Sequence, residues 1–564
     1  MSDYYDLGTY SRQITSAAPG AQRWFDRGLN WLYGYNHDEA VKCFRRALDH
    51  DPHCAMAHWG VAYGLGCNYN RQWEAYAPDA LARALRQGRA AILQAYAHLD
   101  RAAAVETALL KALEKRFQRD DETDVEVLVA WNDEFAAAMR DVYQAFPDDR
   151  DVAALFAEAL MNRRPWQLWD LETGEPAEDA DTMEAIAVVE RALDQVEETG
   201  APAHPGLLHL YIHLWEMSPQ PERAMRAADQ LRDLAPDAGH LLHMPSHIDV
   251  LCGQYFNAVV ANRRAIAVDQ VFAARDGVLT DYTFYRAHNI HFKVYAAMML
   301  GQFETALEAA DEIADLANEN LLRIENPPMA DHLEGIVSMR LHVLIRFGRW
   351  REILSDPAPV DEDLYCNSIA MRHYARAVAL ATLQDHEAAA AEAAAFEVAK
   401  AKVPDTRFIF NNSCIDVLEV ATALMRGELA YHRGDSERAF EHLRQAVYLD
   451  DHLEFAEPWG WPMPTRHALG ALLLDCGKVE EALAVYRADL GFDRSLCRAM
   501  QRPNNVWSLQ GFVTCLDRLG SMAEADLVRP QLQLALARAD VEIETSCFCA
   551  TGMSRSGSEC CHGQ

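Results

Sequence analysis

The sequence has no run of about 18 apolar residues, the length that a helix needs to cross a bilayer, so we expect no membrane-spanning segment. Its first twenty residues lack the basic and apolar regions of a secretory signal. It contains no phosphate-binding loop, no dinucleotide-binding glycine motif and no serine-nucleophile motif. Strand-like runs of Val, Ile and Thr are also missing, whereas Ala and Leu are abundant. These absences favour an all-α fold without nucleotide or serine-hydrolase chemistry.

Basic residues are scarce: 52 Lys and Arg stand against 85 Asp and Glu, a formal net charge of −33. A surface this acidic repels phosphate backbones and anionic lipids, so we expect no nucleic-acid and no membrane partner. Half of the 564 residues are hydrophobic, which is enough for a large core and excludes global disorder. A chain of this length forms about two to four ordinary domains or one long repeat array.

The 13 cysteines show no disulfide-framework spacing, apart from a cluster near the C-terminus. Reduced thiols are the simplest interpretation, so we expect a cytoplasmic protein. The cluster comprises Cys547, Cys549, Cys560 and Cys561. Thiolates are ligands for copper(I) or zinc, but this spacing matches no zinc-finger pattern, and the tail lacks apolar periodicity. We therefore expect the tail to be loose unless something binds it.

A repeated pattern of small residues begins in the stretch FDRGLNWLYGYNHDEAVKCFRRALDHDP, where Gly28, Ala40, Phe44, Ala47 and Pro52 have the spacing of a helix-turn-helix repeat of about 34 residues. The same punctuation returns in CGQYFNAVVANRRAIAVD, LGQFETALEAADEI, RGDSERAFEHLRQAVYLD and CGKVEEALAVYRADL. These residues resemble the tetratricopeptide repeat. The resemblance implies a right-handed solenoid of helix pairs with a concave groove.

Five segments follow from the quality of the repeat match. They are 1–70 with repeat-like helices, 71–200 with a weak match, 201–350 with histidine-rich repeats, 351–541 with further repeats, and the cysteine-rich tail 542–564.

Eight of the 22 histidines lie between residues 204 and 291. If Ala224 and Ala258 mark the same small position, repeats run over 205–238 and 239–272, and Ala306 places a third repeat from residue 287. In this register, seven of the nine places at positions 2, 5 and 9 hold histidine, although the composition predicts fewer than one. These seven are His209, His213, His240, His243, His247, His288 and His291.

Positions 2, 5, 9 and 12 form one stripe of a helix, because residues three and four apart are neighbours. The resemblance implies that this stripe of the first helix lines the groove, so that all seven histidines face one cavity. Neutral imidazole is the usual protein ligand for zinc, copper, iron and nickel, and seven rings exceed the needs of one ion. The pattern therefore predicts a multinuclear metal site, with copper favoured, zinc next, and iron if Glu216 at position 12 adds a carboxylate. A pH-sensitive groove or an imidazolium clamp for an anion is the alternative without a metal.

Other residues are weaker predictions for the same cavity. The candidates for additional metal ligands are His204, His37, His342 and Met298, although helix capping is the simpler role for His37. Phenols are available from Tyr211, Tyr285 and Tyr295, for which helix packing is the commoner role. Substrate contacts are predicted for Trp461, Arg466 and His467, because an aromatic ring beside an arginine suits a planar anion; packing at the start of a helix explains these residues equally well.

The motifs HLYIHLWEMSP, GHLLHMPSHI, HNIHF and EPWGWP resemble those of a group of large bacterial tetratricopeptide-repeat proteins. That resemblance implies a fold and a site, but no reaction. The favoured hypothesis is a metalloenzyme that oxidises or oxygenates a small organic substrate, and zinc-dependent hydrolysis is a weaker one. The alternatives are a scaffold that grips a peptide in the groove, and a copper or zinc storage or delivery protein. The oligomeric state does not follow from the sequence.

Overall fold

The structure, a computed structural model, describes residues 4–550. These residues are mostly helical, as predicted, and their one sheet is the antiparallel pair β1 (Phe408–Ile409) and β2 (Asn412–Ser413). The chain divides into two compact units. The first unit comprises residues 4–248 and 264–286, and the second comprises 249–263 and 287–550. No helix within residues 4–550 combines the length and apolar character needed to cross a membrane.

The helices before residue 244 belong to the first unit. They are α1 (Pro19–Tyr33), α2 (His37–His50), α3 (Ala55–Leu65), α4 (Pro78–Tyr96), α5 (Ala104–Leu113), α6 (Val125–Ala145), α7 (Arg150–Met161), α8 (Thr182–Thr199), α9 (Pro205–Glu216), α10 (Met225–Leu231) and α11 (Gly239–His243). The unit boundaries fall near or within α12 (Pro245–Leu251), α13 (Tyr255–Asp276) and α14 (Tyr282–Leu300).

The remaining helices belong to the second unit. They are α15 (Phe303–Leu316), α16 (Glu319–Leu322), α17 (Met329–Val337), α18 (Met339–Arg346), α19 (Trp350–Ser355), α20 (Cys366–Thr382), α21 (His386–Lys400), α22 (Cys414–His432), α23 (Ser436–Asp451), α24 (Thr465–Asp475), α25 (Val479–Asp489), α26 (Val506–Leu519) and α27 (Met522–Leu536). Short 3₁₀ turns cover Trp73–Ala75, Leu99–Arg101, Glu114–Arg116, Pro221–Ala224, Arg498–Met500 and Phe548–Ala550.

Small residues allow neighbouring helices to approach closely around one aromatic ring. Phe44 on α2 packs against Gly28 of α1 and Gly60 of α3, and a Cβ atom at either glycine would lie 2.6 Å from that ring. In the second unit, Tyr486 of α25 lies in the same way between Gly470 of α24 and Gly511 of α26. An alanine at these positions would push the helices apart, because interiors are close-packed.

Turn residues stop one helix and begin the next. Gly434 adopts φ 83°, a left-handed conformation that ends α22 without a Cβ clash. Asp435 follows it, and its side chain accepts a hydrogen bond from the backbone N–H of Arg438, which caps α23. Asp385 caps α21 in the same way through Ala388. Local turn chemistry therefore sets the boundaries of these helix pairs.

The expectation of a loose C-terminal tail is wrong for residues 542–550. Ser546 is fully buried, and its hydroxyl donates to the backbone oxygen of His467 at 2.7 Å. Arg346 donates to the backbone oxygen of Ser546. Ile543 is also buried, and Cys547 forms a disulfide with Cys549. These residues form irregular backbone instead of a helix, which explains why their sequence has no helical periodicity. Side chains of the second unit hold this backbone in place.

A buried carboxylate ties the N-terminal segment to the first unit. Asp151 is 5% exposed. It accepts hydrogen bonds from Tyr10 (2.9 Å), Tyr33 (2.7 Å) and Arg12 (2.8 Å), and it lies 3.3 Å from Nε2 of His204. Burial alone would raise the pKa of Asp151, but the hydrogen bond to His204 and the nearby positive charges hold this pKa well below its usual range.

We expect Asp151→Asn to lower the free energy of unfolding by about 3 kcal/mol at pH 7, because buried Arg12 loses one of its two carboxylate partners and keeps only Asp149. A carboxyl with a depressed folded-state pKa stabilises above its unfolded pKa of about 4 and loses that effect as the pH falls towards the folded value. The difference from wild type should therefore shrink between pH 7 and pH 3 in chemical denaturation. Asp148→Asn is the matched control, since Asp148 is 82% exposed; equal losses for both variants would contradict the assignment.

Candidate metal centre

Helix α9 presents the first pair of histidines. The helix begins after His204, whose ring nitrogen accepts a hydrogen bond from the backbone N–H of Leu207 at 3.2 Å. His209 and His213 are four residues apart and therefore share one face of the helix. Both are fully buried, and their Nε2 atoms lie 3.1 Å apart.

The second group comes from the interrupted helix that follows. Pro245 has no backbone N–H to donate, and the helix is broken there: α11 ends at His243 and α12 starts at Pro245. His240 places its Nε2 3.2 Å from Nε2 of His209. The Nε2 atoms of His243 and His247 lie 2.9 Å apart.

These two groups form one buried cluster within the first unit, called here the five-histidine cluster: His209, His213, His240, His243 and His247. Each ring is at most 1% exposed. The ring centroids of His240 and His243 are 5.8 Å apart, and those of His213 and His247 are 5.9 Å apart. The repeat register places these five histidines on one helix stripe, and the first unit brings them into one cluster.

The Nδ1 atoms of His209, His213 and His247 contact oxygen atoms. Nδ1 of His209 lies 2.7 Å from the backbone oxygen of Tyr33, which can only accept a hydrogen bond. Glu216 places one carboxylate oxygen 2.9 Å from Nδ1 of His213 and the other 3.2 Å from Nδ1 of His247. A neutral imidazole carries one N–H, so a ring that donates through Nδ1 turns the lone pair of Nε2 towards its neighbour.

The charges at the site agree with this arrangement. Burial alone would raise the pKa of Glu216, but the imidazoles of His213 and His247 lower it to about 2, so that Glu216 is a carboxylate at neutral pH. Burial, followed by the neighbouring His213, lowers the pKa of His209 well below its ordinary value. The neutral form of His209 is therefore favoured.

Facing lone pairs repel each other unless a cation lies between them. One nitrogen each of His209, His213 and His240 lies within 4.8 Å of the others, so this group could hold a metal ion. Tetrahedral coordination with metal–nitrogen distances of about 2.0–2.1 Å separates the ligand nitrogens by about 3.3 Å, close to the 3.1 and 3.2 Å seen here. The oxygen partners of the Nδ1 atoms are the usual outer contacts of metal-bound histidines.

Aromatic rings surround the cluster. Tyr35 lies 4.5 Å from the ring of His209, and Tyr69 lies 4.9 Å from that of His213. Trp166 contacts His213 at 5.7 Å, and the predicted Tyr285 contacts His240 at 4.8 Å. Sequence reasoning missed Tyr35, Tyr69 and Trp166, because they come from turns far away along the chain. Tyr35 and Trp166 even adopt positive φ angles that no repeat pattern predicts.

The other two predicted ligands belong to the second unit. His291 stacks on Phe410 with ring centroids 5.4 Å apart, and burial lowers its pKa to about 3. His288 contacts the rings of Phe410 and Phe292 at 5.0 and 5.5 Å.

Three further predictions in the first unit have other partners. His204 begins α9 and contacts Asp151, as described above. The capping role considered for His37 is wrong, because Asn36 caps α2. His37 is buried, with Nε2 3.3 Å from the side-chain nitrogen of Asn68. Tyr211 lies two residues from each histidine of α9, on the opposite face, and donates to Glu190 at 2.8 Å.

The weaker predictions in the second unit are all buried. His342 and Trp461 contact each other with ring centroids 5.0 Å apart, and Tyr295 packs on Trp459 at 5.2 Å. Met298 accepts a hydrogen bond from the indole of Trp507 through its backbone oxygen.

The polar pair predicted for substrate is engaged in contacts within the second unit. Arg466 forms a two-pronged ion pair with Asp451. Nδ1 of His467 accepts a hydrogen bond from Arg346 at 2.9 Å, and its Nε2 donates to Asp489 at 3.1 Å. These contacts support the alternative that both residues pack the start of α24.

Of the tail cysteines, the structure pairs Cys547 and Cys549 in a disulfide, so reduced thiols are not found at this position. The other described cysteines form no disulfide. Cys560 and Cys561 lie outside the described residues.

The sequence matches no protein-family model, and no curated protein sequence matches it. The geometry of the five-histidine cluster is therefore the main guide to function.

Replacing Glu216 should weaken metal binding without removing a ligand nitrogen. We expect Glu216→Gln to lower the affinity for Cu²⁺ about 10- to 100-fold, because the carboxylate charge that orients His213 and His247 is lost. Competition with a chelator of known affinity measures the change. Glu197→Gln is the matched control, because Glu197 is 64% exposed and pairs with Arg226. Unchanged affinity in Glu216→Gln would contradict its orienting role.

Proposed function

We propose that the five-histidine cluster binds a multinuclear metal centre, with copper favoured, at which a small organic substrate is oxidised or oxygenated. The observation that supports this proposal most strongly is the set of histidine Nε2 atoms that lie 3.1 and 3.2 Å from each other in a fully buried site. Five imidazoles exceed the needs of one four-coordinate ion, which favours more than one metal ion.

The contacts of Glu216 support the preference for copper over iron and zinc. A two-histidine, one-carboxylate iron site needs a carboxylate that is free to bind the metal. Both oxygens of Glu216 instead face Nδ1 atoms of histidines. Zinc-dependent hydrolysis also needs a carboxylate base, and a group whose pKa lies at about 2 is a poor base. All-nitrogen coordination of this kind suits copper best.

The protein residues would hold and shield the metal centre. Copper, when bound, would supply one-electron chemistry with dioxygen as the oxidant. Tyr33 and Glu216 keep the Nε2 atoms of His209 and His213 directed inward. The rings of Tyr35 and Tyr285 cover the rings of His209 and His240 and would exclude water from them.

The fold that we propose is a tetratricopeptide-type solenoid whose groove receives the small substrate. Two features support it: the helix pairs begin and end at the predicted turns, and an aromatic residue between two glycines recurs at Phe44 and at Tyr486. A peptide in the groove is less favoured, because peptide-binding grooves usually display Lys, Arg and Asn rather than histidine.

We expect His243→Gln combined with His247→Gln to lose most of the bound metal, because the double variant removes two facing nitrogen donors. His58→Gln should keep its metal. His58 is half-buried, and its Nε2 contacts the backbone oxygen of Pro52 at 3.1 Å. Elemental analysis of both proteins, with circular dichroism to confirm folding, makes the comparison. Equal metal content in the two proteins would place the metal elsewhere.

The first experiment is elemental analysis and an absorption spectrum of protein purified without a metal-affinity column. We expect about one to three copper ions per chain, and oxygen uptake when small phenols, amines or thiols are added. A labile metal without oxygen uptake would contradict the oxidative function and favour storage or delivery. Zinc alone would favour hydrolysis, and no metal even after reconstitution would leave a histidine-lined recognition site.

A further inference from the structure

A second group of metal-binding side chains lies in the second unit, and it contains no histidine. The ligand atoms of Glu428, Cys547 and Cys549 all lie within 4.8 Å of one another. Cys547 and Cys549 are 9% and 1% exposed, and Glu428 is 2% exposed. The sequence pointed to the two cysteines but not to Glu428, which comes from the middle of α22.

Glu428 has an unusual environment for a carboxylate. Among residues 4–550, its Oε2 atom has no hydrogen-bond partner, although this atom is buried. Buried polar atoms are nearly always satisfied, and a buried carboxylate is costly without a cation. Burial raises the pKa of Glu428 to about 8, although the positive charge of Arg346 lowers it. The guanidinium of Arg346 donates elsewhere, to His467 and to the backbone oxygen of Ser546.

The segment that carries the sulfur atoms is held firmly. The hydroxyl of Ser546 is 2.6 Å from that of Tyr486 and donates to the backbone oxygen of His467. The backbone N–H of Cys549 donates to Sγ of Cys547 at 3.3 Å, a contact that favours a thiolate there once the disulfide is open. Reduction would therefore leave two sulfur donors beside a carboxyl group with an unsatisfied oxygen.

We propose that Cys547, Cys549 and Glu428 form a second metal site, which takes a zinc-type divalent cation when the disulfide is reduced. A dithiol reductant supplies two electrons and two protons and leaves as its own disulfide, while the Cys547–Cys549 bond opens to two thiols. Binding then exchanges protons for the metal: one divalent cation replaces the two thiol protons and the carboxyl proton, and three protons are released. Two sulfurs and one oxygen suit zinc, whereas copper(I) would use the sulfurs alone.

Cobalt(II) is the probe, because a thiolate bound to cobalt gives a sulfur-to-metal charge-transfer band that nitrogen ligands cannot give. The full chain is reduced, its thiols are counted, and Co²⁺ is added without oxygen. We expect the band to saturate at about one Co²⁺ per chain. It should be lost when Cys547→Ser and Cys549→Ser are combined, and kept when Cys560→Ser and Cys561→Ser are combined.

Glu428→Gln tests the carboxylate without removing a sulfur. It should keep the band but bind Co²⁺ at least about tenfold more weakly. Glu419→Gln on the same helix is the matched control, since Glu419 is 48% exposed and pairs with Lys400. Unchanged affinity in Glu428→Gln would overturn its role as a ligand.

Three outcomes would overturn the site itself: no band in the reduced protein, a band that survives the Cys547/Cys549 substitutions, or a disulfide that cannot be reduced while circular dichroism remains native. The five-histidine cluster contributes no sulfur, so these results are independent of whether copper binds there.

Discussion

The first unit depends on one constraint: buried imidazole rings whose Nδ1 atoms face oxygen atoms direct their Nε2 atoms towards each other. Tyr33 and Glu216 fix the outer nitrogens of His209 and His213, and the inner nitrogens are left as acceptors facing each other at 3.1 Å. Taken alone, this arrangement is costly, because burial removes these rings from water. A cation converts the same arrangement into a stabilising one. Metal binding and the folding of this part of the unit are therefore expected to be coupled.

The surrounding helices keep those rings in place. Histidines four residues apart on α9 share a face, and His243 and His247 bring their Nε2 atoms together across the break at Pro245. The N-terminal segment adds a further restraint, because Tyr10 and Tyr33 both donate to buried Asp151. The backbone oxygen of Tyr33 in turn contacts His209, so the residue that binds Asp151 through its hydroxyl also positions a ligand histidine.

The second unit uses different chemistry in a related packing. Tyr486 fills the space between two glycines, as Phe44 does in the first unit, and its hydroxyl contacts Ser546 of the C-terminal segment. Glu428 and the two sulfurs of Cys547 and Cys549 meet beside this segment. Sulfur and oxygen donors in one unit and nitrogen donors in the other would select different metal ions, so the proposed oxidative centre and the proposed thiolate site could be filled independently.

The sequence by itself determined the helical class, the helix boundaries at turns such as Gly434–Asp435, and five of the residues that form the histidine cluster. These features are local or periodic: caps, turn glycines and the spacing of residues along one helix face depend on neighbours a few positions away. Only the tertiary structure decided that Glu216 orients two histidines, that Tyr35, Tyr69 and Trp166 enclose them, and that Glu428 meets Cys547 and Cys549. These contacts join residues far apart in the chain through side-chain directions and irregular turns, for which no repeat pattern carries a signal.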